Sequence, residues 1–268
     1  MSSPIYRIRR YCRETAAHWR ETAGVADFLA LMQVRLSQSK IGPLVCPRPT
    51  TRKVHLKSFG GPLWLRSHSS DISIVNEQLF YPGYGPLLEH TAATTTIVDL
   101  GANTGIVARW LLHHHPQARI VCVEPADENV AMLELNLGPV ADRAAVVPRC
   151  IGGVERRVKV ATNNGSWAYV MQDTASESEA NSTVVTMSGI IDEHNLGRVG
   201  LLKSNIEGAE WEVLEHGADW IGLVDAMVIE FHDGRMDDAA EHIGSDWTVL
   251  HRVPNPHYNC ETVAMVRS

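Results

Sequence analysis

The stretch Ile97-Val98-Asp99-Leu100-Gly101-Ala102-Asn103-Thr104-Gly105 decides how this chain is read. An apolar run ends at Leu100, the pattern of a buried strand. Gly101 lets the backbone turn tightly, and Gly105 lets the next helix lie close to the strand. Such a turn holds a ligand at the strand's C-terminal edge, against a helix N-terminus. Outward from it the texture repeats. TIVDL leads to a helix through Ile106–His115, then ARIVCVEP, a helix from Asp127 to Leu137, and AAVVPRCI. Further on stand VGLLKSNI, a helix from Ala209, and DAMVIEFH. Near-continuous apolar strands with intervening helices mean a parallel sheet covered on both faces. The expected fold is therefore α/β, with a doubly wound, mostly parallel sheet.

The turn is not a dinucleotide fingerprint. Positions 101, 103 and 106 are Gly, Asn and Ile, so two of the three glycines of G-x-G-x-x-G are missing. No GK[ST] follows, so it is not a P-loop. What remains is D-x-G-x-x-x-G, followed by a strand ending in Glu124. An acid there can accept hydrogen bonds from both hydroxyls of a ribose. A glycine turn and a ribose-binding acid without a phosphate cradle suit a nucleoside lacking phosphates, and S-adenosylmethionine is the common candidate.

Two further strand ends carry polar residues: Leu201-Leu202-Lys203-Ser204-Asn205-Ile206-Glu207-Gly208-Ala209-Glu210 and Met227-Val228-Ile229-Glu230-Phe231-His232-Asp233. With DLGANTG, VEP, the LKSNIEGAE run and IEFH in this order, residues 60–235 resemble the FkbM family of S-adenosylmethionine-dependent methyltransferases. SDISIVNEQLFYPGYGPLL is similar to the region preceding that family's first motif. The resemblance implies a Rossmann-like fold with a seven-stranded sheet, and O-methylation of a hydroxyl on a sugar, a glycolipid or polysaccharide, or a polyketide-type product. It departs from the family at Ser204 and Asn205, where Ile and Asp are usual. Asn205 can neither act as a base nor offer an anionic metal ligand.

Site expectations follow from the strand ends. The cofactor is expected on Gly101, Ala102, Asn103, Thr104, Gly105, Glu124, Pro125 and Asn205, with Glu124 on the ribose. Asp99 is expected to orient the turn and the methionine-side amine, Cys150 and Ile151 to border adenine, and Tyr81 and Tyr84 to close over the cofactor. His232, Glu207 and Glu230 are the expected catalytic residues. His232 is favoured as base because an ordinary imidazole titrates near neutrality. The plain alternatives are a hydrogen-bonded sheet-edge histidine, a helix-start carboxylate at Glu207, and a buried structural acid at Glu230. Asn205, Glu207, His232 and Asp233 offer ligands that suit Mg²⁺ with several waters. Paired carboxylates at a recognisable spacing are missing, so no metal site is assigned. His113-His114-His115 reads as a solvated helix end, and Asn163-Asn164-Gly165-Ser166-Trp167 as either a mouth of the site or a hairpin turn.

Composition excludes several classes. Of 268 residues, 44% are hydrophobic and 21% charged, which is globular rather than disordered. Five scattered cysteines without a CxxC pair argue against a structural zinc site and fit a reduced, cytoplasmic setting. The N-terminus lacks the apolar core of a secretory signal, and no run of ~18 apolar residues suggests a membrane span. Charge is uneven. Residues 1–66 hold twelve basic and three acidic side chains, leaving twelve and twenty-eight for the rest. The basic segment either packs on acidic parts of its own or a sister chain, forming a homodimer in the latter case, or meets an anionic surface such as lipid headgroups. No nucleic-acid module accompanies it. Residues 4–38 read as helical, with Val25, Phe28, Leu29, Leu31, Met32 and Leu36 on one stripe. VHLKSF-GG-PLWLRS reads as a β-hairpin. SDISIVNEQLF reads as a helix capped by Ser70 or Asp71. The strands around TASESEANS, itself read as a surface loop, lie outside the main alternation. Residues 1–58 are expected as a basic helical extension and linker, and 59–268 as the methyltransferase domain acting on a small-molecule or glycan acceptor. Rival readings are an N-methyltransferase on an amide or amine, and a methyltransferase-like binding subunit without catalysis. An amine acceptor needs less base assistance, so activity would then survive loss of His232.

Overall fold

The computed structural model describes residues 4–80, 83–162, 169–173, 179–232, 242–255 and 259–268. Tyr81, Asn163–Trp167, residues 174–178 of the polar stretch and Asp233 lie outside them. The N-terminal layer comprises α1 (Pro4–Glu21), α2 (Val25–Ser37), α3 (Gly42–Val45), the hairpin β1 (Thr51–Leu56) and β2 (Gly61–Arg66), α4 (Asp71–Phe80) and α5 (Gly85–Leu88). The helix expected over 4–38 is thus two helices. Gly24 is fully extended, and Ala23 N donates to His55 O, so the chain crosses to the hairpin between them. Asp27 then locks α2 to β1 by accepting from His55 N at 2.8 Å. The buried face of α2 is Leu31 and Val34, whereas Val25 and Leu29 point to solvent. The apolar stripe is therefore rotated from its sequence expectation.

Much of the basic charge of this segment closes on the chain itself. Arg35 meets Glu14 at 2.7 Å, as does Arg10. Arg52 donates to Gln33, and Lys57 to the Arg20 carbonyl. Asp71 does not cap α4 with its side chain. Its buried carboxylate takes the Arg66 guanidinium at 2.9 Å and the Arg66 N–H, while Ser70 O accepts the first helical bonds. The boundary expected at 58/59 falls in the turn of the β1–β2 hairpin.

The Rossmann-like sheet follows. β3 (Thr96–Leu100), α6 (Ile106–His114), β4 (Arg119–Val123), α7 (Asp127–Leu137) and β5 (Ala144–Val147) build one wing. A smaller sheet of β6 (Cys150–Ile151), β7 (Arg157–Thr162), β8 (Tyr169–Asp173) and β9 (Ser182–Val185) interrupts it. After α8 (Met187–Glu193) the chain returns to the centre with β10 (Leu201–Ser204), α9 (Glu210–Glu215) and β11 (Ala226–His232), and ends in β12 (Trp247–Asn255) and β13 (Cys260–Arg267). The strand order is β12-β13-β11-β10-β3-β4-β5. All neighbours from β11 to β5 are parallel, and β13 runs antiparallel between β11 and β12. The order reverses between β3 and β10, the point where such sheets open a crevice at their C-terminal ends.

Strand alternation explains the two cores. Ile97, Ile120, Leu201 and Val228 face the N-terminal layer, in one cluster with Leu31, Leu63, Val75 and Leu111. Val98, Val121, Leu202 and Met227 face the other side, against Ile190, Leu214 and Trp220. The triple histidine is not simply a solvated helix end. His115 is buried and bonds Thr91 Oγ1 at 2.9 Å, while His113 and His114 are exposed. Among the described residues no helix is long and apolar enough to cross a membrane.

Candidate active site

A cleft of about 1140 Å³ opens over the C-terminal ends of β3, β4, β10 and β11. Its floor is the turn after β3. Gly101 has φ +73°, and a Cβ there would stand 1.8 Å from the Asn205 carbonyl oxygen. Two strand ends thus approach more closely than any side chain permits. Gly105 has φ +76°, and its Cβ would stand 2.7 Å from a Leu133 methyl, which explains why α6 packs tightly on α7. Asn103 also takes a left-handed conformation, φ +49°, one that asparagine tolerates. Its Oδ1 accepts from Thr104 N at 2.8 Å. Thr104 Oγ1 is buried on the cleft wall without a partner among the described residues.

Glu124 sits at the end of β4. Oε2 accepts from Asn103 N at 2.9 Å, and Oε1 from Ala126 N at 3.0 Å and Asn129 Nδ2 at 3.3 Å. Burial pushes its carboxyl above the usual carboxylate range, and those donors hold it back. A carboxylate offers about four acceptor positions, so one remains beyond these three donors.

Asp99 lies behind the wall, not on it. It is 0% exposed, and Lys203 Nζ stands 2.8 Å from its Oδ1. The same ammonium donates to Gly101 O at 2.8 Å. Burial raises the Asp99 carboxyl, and the Lys203 charge opposes it. The expected direct contact of Asp99 with an amine is corrected here, because its full burial behind the wall leaves it no surface in the cleft. Asp99 acts on the turn through Lys203.

At the opposite end of the cleft the strand ends of β10 and β11 gather charge. Glu210, buried at the start of α9, accepts from Ile206 N and Gly208 N and from His232 Nδ1, each at 3.0 Å. It thereby fixes both the loop carrying Glu207, which has φ +56°, and the imidazole. His232 Nε2 lies 3.7 Å from Glu207 Oε2 and 3.8 Å from Glu230 Oε1. Burial alone would lower the imidazole pKa. The hydrogen bond to Glu210 and the charges of Glu210, Glu207 and Glu230 outweigh it and raise it to about 9. The near-neutral titration behind the expectation of a base at His232 therefore does not hold in this cage, since a protonated ring has no lone pair to offer. Burial raises the Glu207 carboxyl, opposed by His232. Asn205 Nδ2 donates to Glu230 Oε2 at 3.3 Å, and Cys260 Sγ donates to Glu230 Oε1 at 3.2 Å. Burial and the Glu230 charge push the Cys260 thiol up to about 12.

A model of the Methyltransferase FkbM domain matches residues 99–249, a little over half of the chain. The chain belongs to the FkbM methyltransferase family. Methyltransferase 1 of Beauveria bassiana (strain ARSEF 2860) is 28% identical over 170 residues, covering 53% of this chain and 67% of that protein. Among solved structures, M. capricolum TrmK in complex with S-adenosyl-homocysteine shares 7% identity at TM-score 0.42, over 68% of this chain and 67% of its own. Ribosomal protein L11 methylase from Lactobacillus delbrueckii subsp. bulgaricus shares 12% at TM-score 0.40, over 68% and 74%.

In this FkbM methyltransferase the cleft brings together most residues singled out from the sequence. Gly101, Ala102, Asn103, Thr104, Glu124, Pro125, Cys150, Ile151, Asn205 and Tyr84 line it, as do Glu207, Glu230 and His232. Asp99 and Gly105 support it from behind. Glu77 on α4 was missed. It lines the cleft, and burial there together with the Glu230 charge pushes its carboxyl up to about 7. Burial and the charges of Glu77, Glu230 and Asp99 raise the Tyr84 phenol. Gln38, His68, Ser69 and Ser73 form a polar wall that was also unforeseen. Nothing in the spacing of the motifs points to these upstream residues.

Proposed function

We propose that the protein is an S-adenosylmethionine-dependent O-methyltransferase acting on a hydroxyl of a sugar, a glycolipid or polysaccharide, or a polyketide-type product. The observation that carries this is one cleft with two chemically distinct ends. One is a glycine turn beside a buried strand-end carboxylate, and the other is a cluster of acids beyond Asn205. The first end fits the cofactor. Gly101 leaves backbone rather than a side chain on the floor, Asn103 turns its Oδ1 back onto Thr104 N, and Glu124 keeps acceptor capacity for a ribose. Cys150 and Ile151 give an apolar edge for adenine, and Tyr84 stands across the cleft.

Bound S-adenosylmethionine supplies a methyl group already activated on a sulfonium. The residues of the chain have two tasks. Asn205, Tyr84 and the turn fix the two reactants in line, and such positioning is worth on the order of 7–11 kcal/mol. A hydroxyl is a poor nucleophile, so a base contributes roughly 10²–10⁴-fold. Glu207 is suited to that role by geometry. It lines the cleft, and no hydrogen bond reaches its carboxylate among the described residues. Glu210 and His232 hold its loop and its surroundings. The wall of Gln38, His68 and the serines, rich in hydrogen-bonding groups, supports an acceptor with several hydroxyls.

The test is mass spectrometry after incubation with S-adenosylmethionine and a panel of glycosides, glycolipid extracts, polyketide alcohols and amines. A gain of one methylene on a hydroxyl acceptor is expected. Methylation of amines alone would replace this reading with the N-methyl one. Tight cofactor binding without S-adenosylhomocysteine formation on any acceptor would leave a binding subunit.

A further inference from the structure

Glu230 and His232 are two apart on β11 and so point to the same face. His232 is paired across the ladder with Cys260 of β13. The three side chains converge: their ligand-type atoms all lie within 4.8 Å of one another. Glu230 Oε1 is 3.2 Å from Cys260 Sγ and 3.8 Å from His232 Nε2. A tetrahedral ion with bonds of about 2.0 Å to O and N and about 2.3 Å to S separates its ligands by about 3.5 Å (O to S) and about 3.3 Å (O to N). The two distances from Glu230 Oε1 lie within about half an ångström of these values, one shorter and one longer, and the imidazole and Cys260 Sγ lie within 4.8 Å of each other against about 3.5 Å, so inward rotation of the imidazole and the thiol closes the site.

The surroundings are those of a metal centre as well. A ligating histidine characteristically donates its other N–H to a carboxylate, and ligating carboxylates are themselves hydrogen-bonded. His232 Nδ1 donates to buried Glu210, which is anchored in turn by two backbone N–H groups. Asn205 Nδ2 holds the second oxygen of Glu230, and Asn205 Oδ1 is buried without a partner among the described residues. Both outer contacts leave Oε1 and Nε2 for the ion: Oε1 faces Cys260 Sγ, and Nε2 lies 3.8 Å from Oε1.

We propose that Glu230, His232 and Cys260 form a binding site for one zinc-class transition-metal ion at the acceptor end of the cleft. The ion displaces one proton from the His232 ring and one from the Cys260 thiol, both released to solvent, and the resulting thiolate, imidazole and carboxylate together select a borderline ion over Mg²⁺ or Ca²⁺. Three protein ligands leave a fourth position, as in zinc sites that bind water or a substrate oxygen. Glu230 and His232 line the cleft together with Glu207, so the ion would be reached from the cleft. An oxygen ligand there loses its proton more readily. Metal binding itself does not depend on the methyl-transfer reading.

The test uses the full chain without cofactor or acceptor. Metal content after purification without chelators is expected at about one zinc per chain, and Co²⁺ replacing it should give a thiolate-to-cobalt charge-transfer band. Cys260→Ser should abolish that band, and Cys12→Ser, at an exposed site, should keep it. Glu210→Gln should weaken zinc binding about 10–100-fold. If Cys260→Ser does not fold, alkylation mapped on the wild type decides the matter. Zinc should slow modification of Cys260 at least tenfold and leave Cys12 unchanged. A chain that holds no zinc and gives no thiolate band, a band that survives Cys260→Ser, or unprotected Cys260 would each overturn the proposal. Cofactor binding by calorimetry, run separately, tells that failure from failure of the methyltransferase reading.

Discussion

Replacing Lys203 by Met tests how the glycine turn is held. In the wild type the ammonium stands 2.8 Å from Asp99 Oδ1 and donates to Gly101 O at 2.8 Å and Leu100 O at 3.3 Å. Both partners are buried, at 4% and 0% exposure. Breaking a buried pair from one side costs about 3–5 kcal/mol, because a charge is left without compensation. Protonation of Asp99 caps that cost. At pH 7 the uptake of a proton costs about 1.36 kcal/mol for each of the roughly three units above an unfolded carboxyl pKa of about 3.9, or about 4 kcal/mol. At pH 5 the same cap is about 1.5 kcal/mol. In the variant the folded pKa of Asp99 exceeds its unfolded value, so folding takes up a proton. Stability relative to wild type is then lost as pH rises and regained as pH falls. Urea unfolding followed by tryptophan fluorescence at both pH values is the assay. The expected loss is about 3–4 kcal/mol at pH 7, a fall in Tm of about 6–15 °C, shrinking to about 1.5 kcal/mol at pH 5. Asp99→Asn combined with Lys203→Met should cost less than Lys203→Met alone at pH 7. A single variant within about 1 kcal/mol of wild type, or a cost that does not change with pH, would refute the reasoning.

Glu124→Gln puts an amide N–H₂ against either Asn103 N or the Ala126 and Asn129 donors and removes a charged acceptor. Loss of one charge-assisted bond, about 1.5–3 kcal/mol, predicts cofactor affinity about 10–100-fold weaker by calorimetry. Unchanged affinity would contradict the ribose assignment. Glu207→Gln should lower kcat by about 10²–10⁴-fold with the cofactor Kd preserved; an equal loss in both would make it a binding residue. Leu31→Ala, at 0% exposure in the cluster shared with the sheet, should cost about 2–5 kcal/mol. It should lower one common unfolding transition, and a separate early transition for residues 1–58 would show an independent unit.

The half of the site built from local strand–turn–helix units was legible in the sequence. The turn 101–105 and Glu124 each sit at the end of one apolar run, so spacing along the chain places them without tertiary knowledge. What escaped was set by packing between distant segments. Cys260 meets Glu230 only because β13 inserts antiparallel between β11 and β12. Glu77 reaches the cleft because α4 packs beside β2 and α6, and no pattern in SDISIVNEQLF distinguishes a cleft-facing acid from a solvated one. The stripe on α2 was misjudged for a similar reason. Both of its flanks are apolar, and the hairpin, through Asp27 and His55, decides which is buried. Asp99 was placed correctly at the strand end, but its side chain faces Lys203 of the neighbouring strand, a pairing that only the β3–β10 register reveals.

The two walls of the cleft are written by separate parts of the chain. The floor and the acidic end come from strand ends after residue 96, whereas Gln38, His68, Ser69, Ser73 and Glu77 come from the layer before it. Mutation in the upstream stretch can therefore reshape what fits in the cavity and leave the machinery downstream intact. Substitutions at these wall positions, made without touching Leu31, Leu63 or Val75 in the core shared with the sheet, alter the outline of the cavity and leave the strand-end carboxylates in place.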